Sequence, residues 1–241
     1  MKDARARIWS SVGKKLLTGL TGILLMGFIV AHLSGNLLLL AGQDAFNAYA
    51  HSLESLGVLL YVAEAGLAGI FLLHALSALN VWIDNRRGRN TANAITQGKG
   101  GQSLMTVSSR SMVVTGVVLL AFTVIHVAHF KLGPGVDRGY IATLHGEQVR
   151  DLYRLVIEEF KDPVIVSAYM AVMVLLGLHL RHGFWSAFHS IGLLNRRIRP
   201  LAFAAGFFFA LAIAVGFLIL PLYIFLFVEV PGSAGLAMVQ P

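Results

Sequence analysis

Five apolar runs leave this chain few ways to fold: roughly Leu16–Leu40, Leu56–Ile83, Met112–Phe130, Val164–Leu180 and Leu201–Val228. A helix needs ~20 residues to cross ~30 Å of hydrocarbon. The fourth run reaches that length when Phe184 and Trp185 carry it through the interface, to about residue 185. Backbone in lipid must satisfy its own hydrogen bonds, so all five are expected as helices. The expected fold is all-α: an integral membrane bundle of five transmembrane helices, a single domain over residues 1–241. Composition agrees, with 56% hydrophobic and 13% charged residues, against about 25% charge in a soluble domain. The absence of cysteine excludes disulfides, thiolate metal sites and iron–sulfur ligation by this chain. Met1–Ser11 is basic, but the run behind it is too long for a signal-peptide core, so no cleaved signal is expected.

Orientation follows from the basic residues. Lys2, Arg5, Arg7, Lys14 and Lys15 precede the first run. Arg86, Arg87, Arg89, Lys99 and Arg110 fall between the second and third, and Arg181, Arg196, Arg197 and Arg199 between the fourth and fifth. The Ala41–Ser55 connection has none, and the basic residues of the third–fourth connection are offset by Asp137, Glu147, Asp151, Glu158, Glu159 and Asp162. The positive-inside rule then puts the N-terminus in the cytoplasm and the C-terminus outside. The net charge of +7 is explained by these flanks, and no nucleic-acid partner is expected. Two connections are long. Asp84–Ser111, rich in Gly, Asn, Thr and Arg, reads as a mobile cytoplasmic loop. In the other, Val149, Leu152, Tyr153, Val156, Ile157 and Phe160 recur at helical spacing, which predicts an amphipathic helix over about 147–160 on the outer surface. Pro163 is placed to start the fourth span.

Histidines are the unusual content of these runs. His32, His74, His126 with His129, and His179 with His182 occupy the first four, and the fifth has none. At ~1.5 Å per residue, His32 and His126 lie ~26 and ~24 Å from the cytoplasmic end of their spans. His74 and His179 lie ~24–28 Å from the outer end of theirs. The four therefore sort into an outer pair, His32 and His126, and an inner pair, His74 and His179. Two imidazoles at matched depth on facing helices are what a bis-histidine haem needs, so two pairs imply two haems. Gly19, Gly22, Gly27, Gly66, Gly69, Gly116, Gly177 and Gly183 lie near these positions and would let a flat macrocycle approach the backbone. Each feature has a plainer explanation. Glycine packs membrane helices together, and a single membrane histidine is often only an interhelical hydrogen-bond partner. Four histidines on four helices at two depths outweigh that explanation. The His126/His129 and His179/His182 spacings could hold a metal ion, but no third ligand stands nearby. His129, Arg181 and His182 are instead expected around the haem, as propionate partners. His145 and His189 read as solvated surface.

The stretches "AHLSGNLLLLAGQDAFNAYAHSLES", "LLHALSALNVWI", "VIHVAHF" and "GLHLRHGFWSAFHSIG" together resemble the dihaem cytochrome b membrane anchor of succinate dehydrogenase and fumarate reductase, in its single-chain, five-helix branch. The resemblance runs from about Arg7 to Phe227. It implies haem ligation by His32 with His126 and by His74 with His179. It also implies a flavoprotein subunit and an iron–sulfur subunit docked on the cytoplasmic face, a quinone substrate (menaquinone is expected), and residence in a prokaryotic cytoplasmic membrane, with a higher oligomer of the complex open. The chain has no nucleotide-binding fingerprint and no succinate chemistry of its own, so dicarboxylate chemistry would fall to the partners. Quinone reduction needs a proton donor. Glu64, the one acid inside a span, is the candidate catalytic group, although a structural hydrogen bond to a neighbouring helix explains it equally well. Asn36 and His51 are further candidates for the quinone site. Some fumarate reductases of this branch carry an acid two residues before the fourth ligand; here that position is Gly177, which puts such a proton path in doubt.

Two other classes stay open at this point. One is the dihaem anchor of a hydrogenase or formate dehydrogenase, against which "AFNAYAH" and "HGFWS" argue. The other is a haem-free transporter or metal-dependent lipid enzyme. Enzymes of the latter kind gather histidine boxes near one membrane face, whereas these histidines divide between two depths.

Overall fold

The computed structural model describes residues 10–87 and 107–231. Most of them are helical, and five helices are long and apolar enough to cross a membrane. These are α1 (Ser11–Asn36), α3 (Val58–Arg87), α4 (Val107–His126), α6 (Pro163–Ser190) and α7 (Arg199–Phe227), with a shorter α2 (Gln43–Glu54) and α5 (Leu152–Glu159) between them. A 3-10 turn, Leu37–Ala41, extends α1, and a π turn, Val127–Lys131, extends α4. Large apolar side chains are exposed along the long helices, among them Leu59, Val62, Leu72, Leu73 and Leu76 on α3. So much contiguous apolar surface suits hydrocarbon as the solvent. The expected loop Asp84–Ser111 falls mostly on residues 88–106, and Lys2, Arg5, Arg7, Arg89 and Lys99 also lie outside the described residues.

The helix ends are set by local chemistry. Asp162 caps α6: its Oδ1 accepts from Val164 N at 2.7 Å and Ile165 N at 3.3 Å, and Pro163 takes the first helical position, where no N–H is needed. Asn195 does the same ahead of α7, accepting from Arg197 N at 2.9 Å and Ile198 N at 3.0 Å. At the far end of α7, Lys161 Nζ donates to Phe225 O at 3.0 Å, placing a cation where terminal carbonyls lack partners.

Two connections differ from the sequence expectation. Ala41–Ser55, read as a loop, contains α2. The amphipathic helix expected over about 147–160 is shorter and starts later. Glu147–Arg150 is instead strand β2, antiparallel to β1 (Ile141–Leu144) with Leu144 opposite Glu147. The reason is the turn His145–Gly146, where both residues have positive φ, 52° and 88°; this is the two-residue hairpin geometry that matches strand twist. Val149 is buried in a strand as it would be in a helix, so its spacing alone cannot decide. Asp151 then caps α5, accepting from Arg154 N at 3.0 Å.

The chain divides into two compact units. Unit 1 comprises Met1–Phe28, Glu64–Leu120 and Leu175–Ala212; unit 2 comprises Ile29–Ala63, Ala121–Val174 and Ile213–Pro241. Every spanning helix gives one stretch to each unit. Unit 2 has a packed apolar centre that includes Leu155, Ile157, Phe160 and Ile224. Its α2 is bolted to α5 by Asp151, which accepts from Gln43 Nε2 at 2.7 Å and Asn47 Nδ2 at 2.8 Å. Asn47 Oδ1 accepts in turn from Tyr153 N at 2.9 Å.

Candidate functional site

Within unit 1, His74 of α3 and His179 of α6 face each other, with ring centres 6.5 Å apart and planes at 70°. Each is steadied at Nδ1. His74 Nδ1 lies 3.2 Å from Thr21 Oγ1 and 3.2 Å from the Thr18 carbonyl. His179 Nδ1 lies 3.0 Å from Thr115 Oγ1. Both threonines are buried, Thr21 at 5% and Thr115 at 1% exposure, so these hydroxyls meet protein rather than solvent. Ser77, also buried, accepts from Thr18 Oγ1 at 2.8 Å and donates to the His74 carbonyl at 3.1 Å. The two glycines beside the pair permit the approach. A Cβ on Gly22 would meet His74 Cε1 at 3.3 Å, and one on Gly116 would meet His179 Cε1 at 3.6 Å.

Within unit 2, His32 of α1 and His126 at the end of α4 face each other, with centres 5.7 Å apart and planes at 86°. Aromatic rings enclose them. Phe217 is 5.9 Å from His32, and Phe122 and Phe130 are 5.5 and 5.3 Å from His126. Tyr169 stands 6.2 Å from His126. His126 Nδ1, His129 Nδ1 and the Tyr169 hydroxyl are buried without a hydrogen-bond partner. Buried polar atoms of that kind cost ~1–3 kcal/mol each unless something satisfies them.

The other sequence candidates distribute as follows. Asn36 lies one turn after His32 in α1; its Nδ2 donates to the His32 carbonyl at 2.8 Å and comes within 3.4–3.5 Å of the ring nitrogens. His129 sits in the π turn, 3.9 Å from Glu159 Oε2. That turn is held from outside the span by Arg150, which donates to Phe130 O at 2.8 Å and Pro134 O at 3.1 Å. Burial pushes the Arg150 guanidinium below its ordinary pKa, while Glu54 and Asp137 pull it back up. His182 packs against Trp185, and Arg181 lies over the Phe207 ring, both in unit 1. His51 is in the last turn of α2. Glu64 is half-buried in α3, at the first residue of the α3 stretch that belongs to unit 1. Sequence reasoning missed Thr21, Thr115 and Tyr169. The available signal was a lone hydroxyl in an apolar run, which is common wherever membrane helices pack.

Two imidazoles that share one metal, each nitrogen about 2 Å from it, have ring centres about 6 Å apart. Both pairs come close to that. Among the described residues no group of three or more His, Asp or Glu side chains converges as a metal-ion site. No family model, curated protein or solved structure matches the chain.

Proposed function

We propose that this chain is a dihaem cytochrome b membrane anchor of a succinate:quinone oxidoreductase in a prokaryotic cytoplasmic membrane. The observation that carries the reading is the pair of facing histidine pairs, His32 with His126 and His74 with His179, on helices long and apolar enough to span. The residue pattern resembling the five-helix anchors supplies the specific enzyme. Each bound haem supplies a one-electron carrier. The chain's own tasks are to present the axial nitrogens and to exclude water with the apolar helices. It also has to offer a quinone a proton. On this reading the N-terminus is cytoplasmic and the C-terminus external, and flavoprotein and iron–sulfur subunits dock on the cytoplasmic face. Glu64 serves proton delivery, with Asn36 and His51 as further quinone contacts.

A pyridine haemochrome assay on the purified complex tests this. Two b haems per chain are expected, and one or none would overturn the reading. Replacement of His74 or His179 should remove one haem, and replacement of His32 or His126 the other. Co-purification of hydrogenase or formate dehydrogenase subunits, rather than a succinate-oxidising flavoprotein, would overturn the enzyme assignment while leaving the haem assignment intact.

A further inference from the structure

The hydroxyls against His74 and His179 determine more than position. A threonine hydroxyl has one proton to donate. Thr115 Oγ1 lies 3.0 Å from Ser111 O and 3.1 Å from Met112 O, and carbonyls only accept. With its proton committed there, the hydroxyl presents a lone pair to His179 Nδ1, which must then be the donor. Thr21 Oγ1 is engaged in the same way with Leu17 O at 2.7 Å and Thr18 O at 3.2 Å. His74 Nδ1 has a second neighbour that can only accept, the Thr18 carbonyl at 3.2 Å. Acceptors thus face Nδ1 on both rings.

We propose that Thr21 and Thr115 are positioning residues that hold His74 and His179 in the tautomer with the proton on Nδ1. Nε2 of each ring is left with the lone pair a metal requires. A ligating histidine that donates its other N–H to an oxygen is oriented by it and becomes a more basic ligand. In unit 2, by contrast, His126 Nδ1 has no such acceptor. The consequence for a metal rests on the haem reading, whereas the tautomer does not.

Two measurements test the proposal separately. Nitrogen-15 NMR of the purified complex, dithionite-reduced so that a low-spin ferrous centre is diamagnetic, reads the protonated nitrogen directly. Nδ1–H on His74 and His179 is expected, and Nε2–H on either ring overturns the proposal whether or not haem is bound. Redox titration then reads the consequence. With both haems retained, Thr115→Val should raise the reduced-to-oxidised ratio of the His74/His179 haem about tenfold at fixed poise, about 59 mV for a one-electron couple. Thr115→Ser should restore it. Thr21→Val should shift it less, because the Thr18 carbonyl still accepts. An unchanged potential in Thr115→Val overturns the proposal. Should that variant lose haem altogether, the NMR result on the unaltered chain decides. A haem-free complex with Nδ1–H on both rings would sink the proposed function and leave the tautomer lock standing.

Discussion

A carboxylate at 3% exposure survives only where donors surround it, and Asp151 has three: Gln43, Asn47 and the Arg154 amide. Asp151→Asn keeps the shape but turns an N–H pair toward one of these donors. A loss of about 1–3 kcal/mol in stability is expected, read as a lower Tm of the detergent-solubilised complex; an unaltered Tm would mean the side chain is dispensable. Glu64 is a different kind of acid, carried on a spanning helix where an ionisable group costs ~2.5–3.5 kcal/mol on insertion scales. If the proposed function holds, Glu64→Gln should leave haem content intact, along with succinate oxidation by an artificial acceptor. Quinone-linked turnover should fall at least about tenfold, ~1.4 kcal/mol in the barrier. Equal turnover in mutant and wild type would reduce Glu64 to a packing residue and move attention to Asn36 and His51.

At the scale of elements, the β1–β2 hairpin is held by its turn and by one ionic cluster. His145 is the one non-glycine described residue with positive φ, a region costly for branched side chains. His145→Val should destabilise the hairpin by roughly 1–2 kcal/mol, while His145→Asn should be tolerated; comparable protease resistance in both variants would argue against a strained turn. Glu158 ties the hairpin to α5, accepting from Tyr140 Oη at 2.5 Å and Arg154 Nε at 2.7 Å. Burial alone would raise its pKa, but those two hydrogen bonds hold it below the ordinary 4.5. A depressed acid stabilises the fold above its unfolded pKa and stops doing so as pH falls through the folded value. Hydrogen-exchange protection in 140–158, corrected for the intrinsic exchange rate, should therefore fall below about pH 4.5, and Glu158→Gln should abolish that acid-induced step.

For the whole molecule, orientation is open to a direct measurement because the chain has no cysteine. Ser55→Cys should react with an impermeant maleimide from outside and Arg196→Cys only from the cytoplasmic side; the reverse pattern would invert the proposed topology. The five long helices were legible in the sequence because lipid imposes a length and an apolar character that few other folds need. Their ends were not. α1 starts at Ser11 rather than Leu16 and α3 runs to Arg87 rather than Ile83, since a helix does not stop where hydrocarbon does and Lys14 and Arg86 remain helical beyond it. Which histidine faces which was legible from depth along the spans. The hydroxyls behind them were not, because a threonine in an apolar run has no periodicity of its own. Nor was the strand before α5, where a turn outweighed apolar spacing. The bolt between α2 and α5 joins residues 104 and 108 positions apart, with two long helices, α3 and α4, between its halves. On the proposed topology, in which each long helix crosses the membrane once, Asn47 and Asp151 can meet only after an even number of crossings. The bolt therefore acts as a parity check on insertion: a chain that skipped or added one crossing would strand a buried carboxylate on one face and its amide partners on the other.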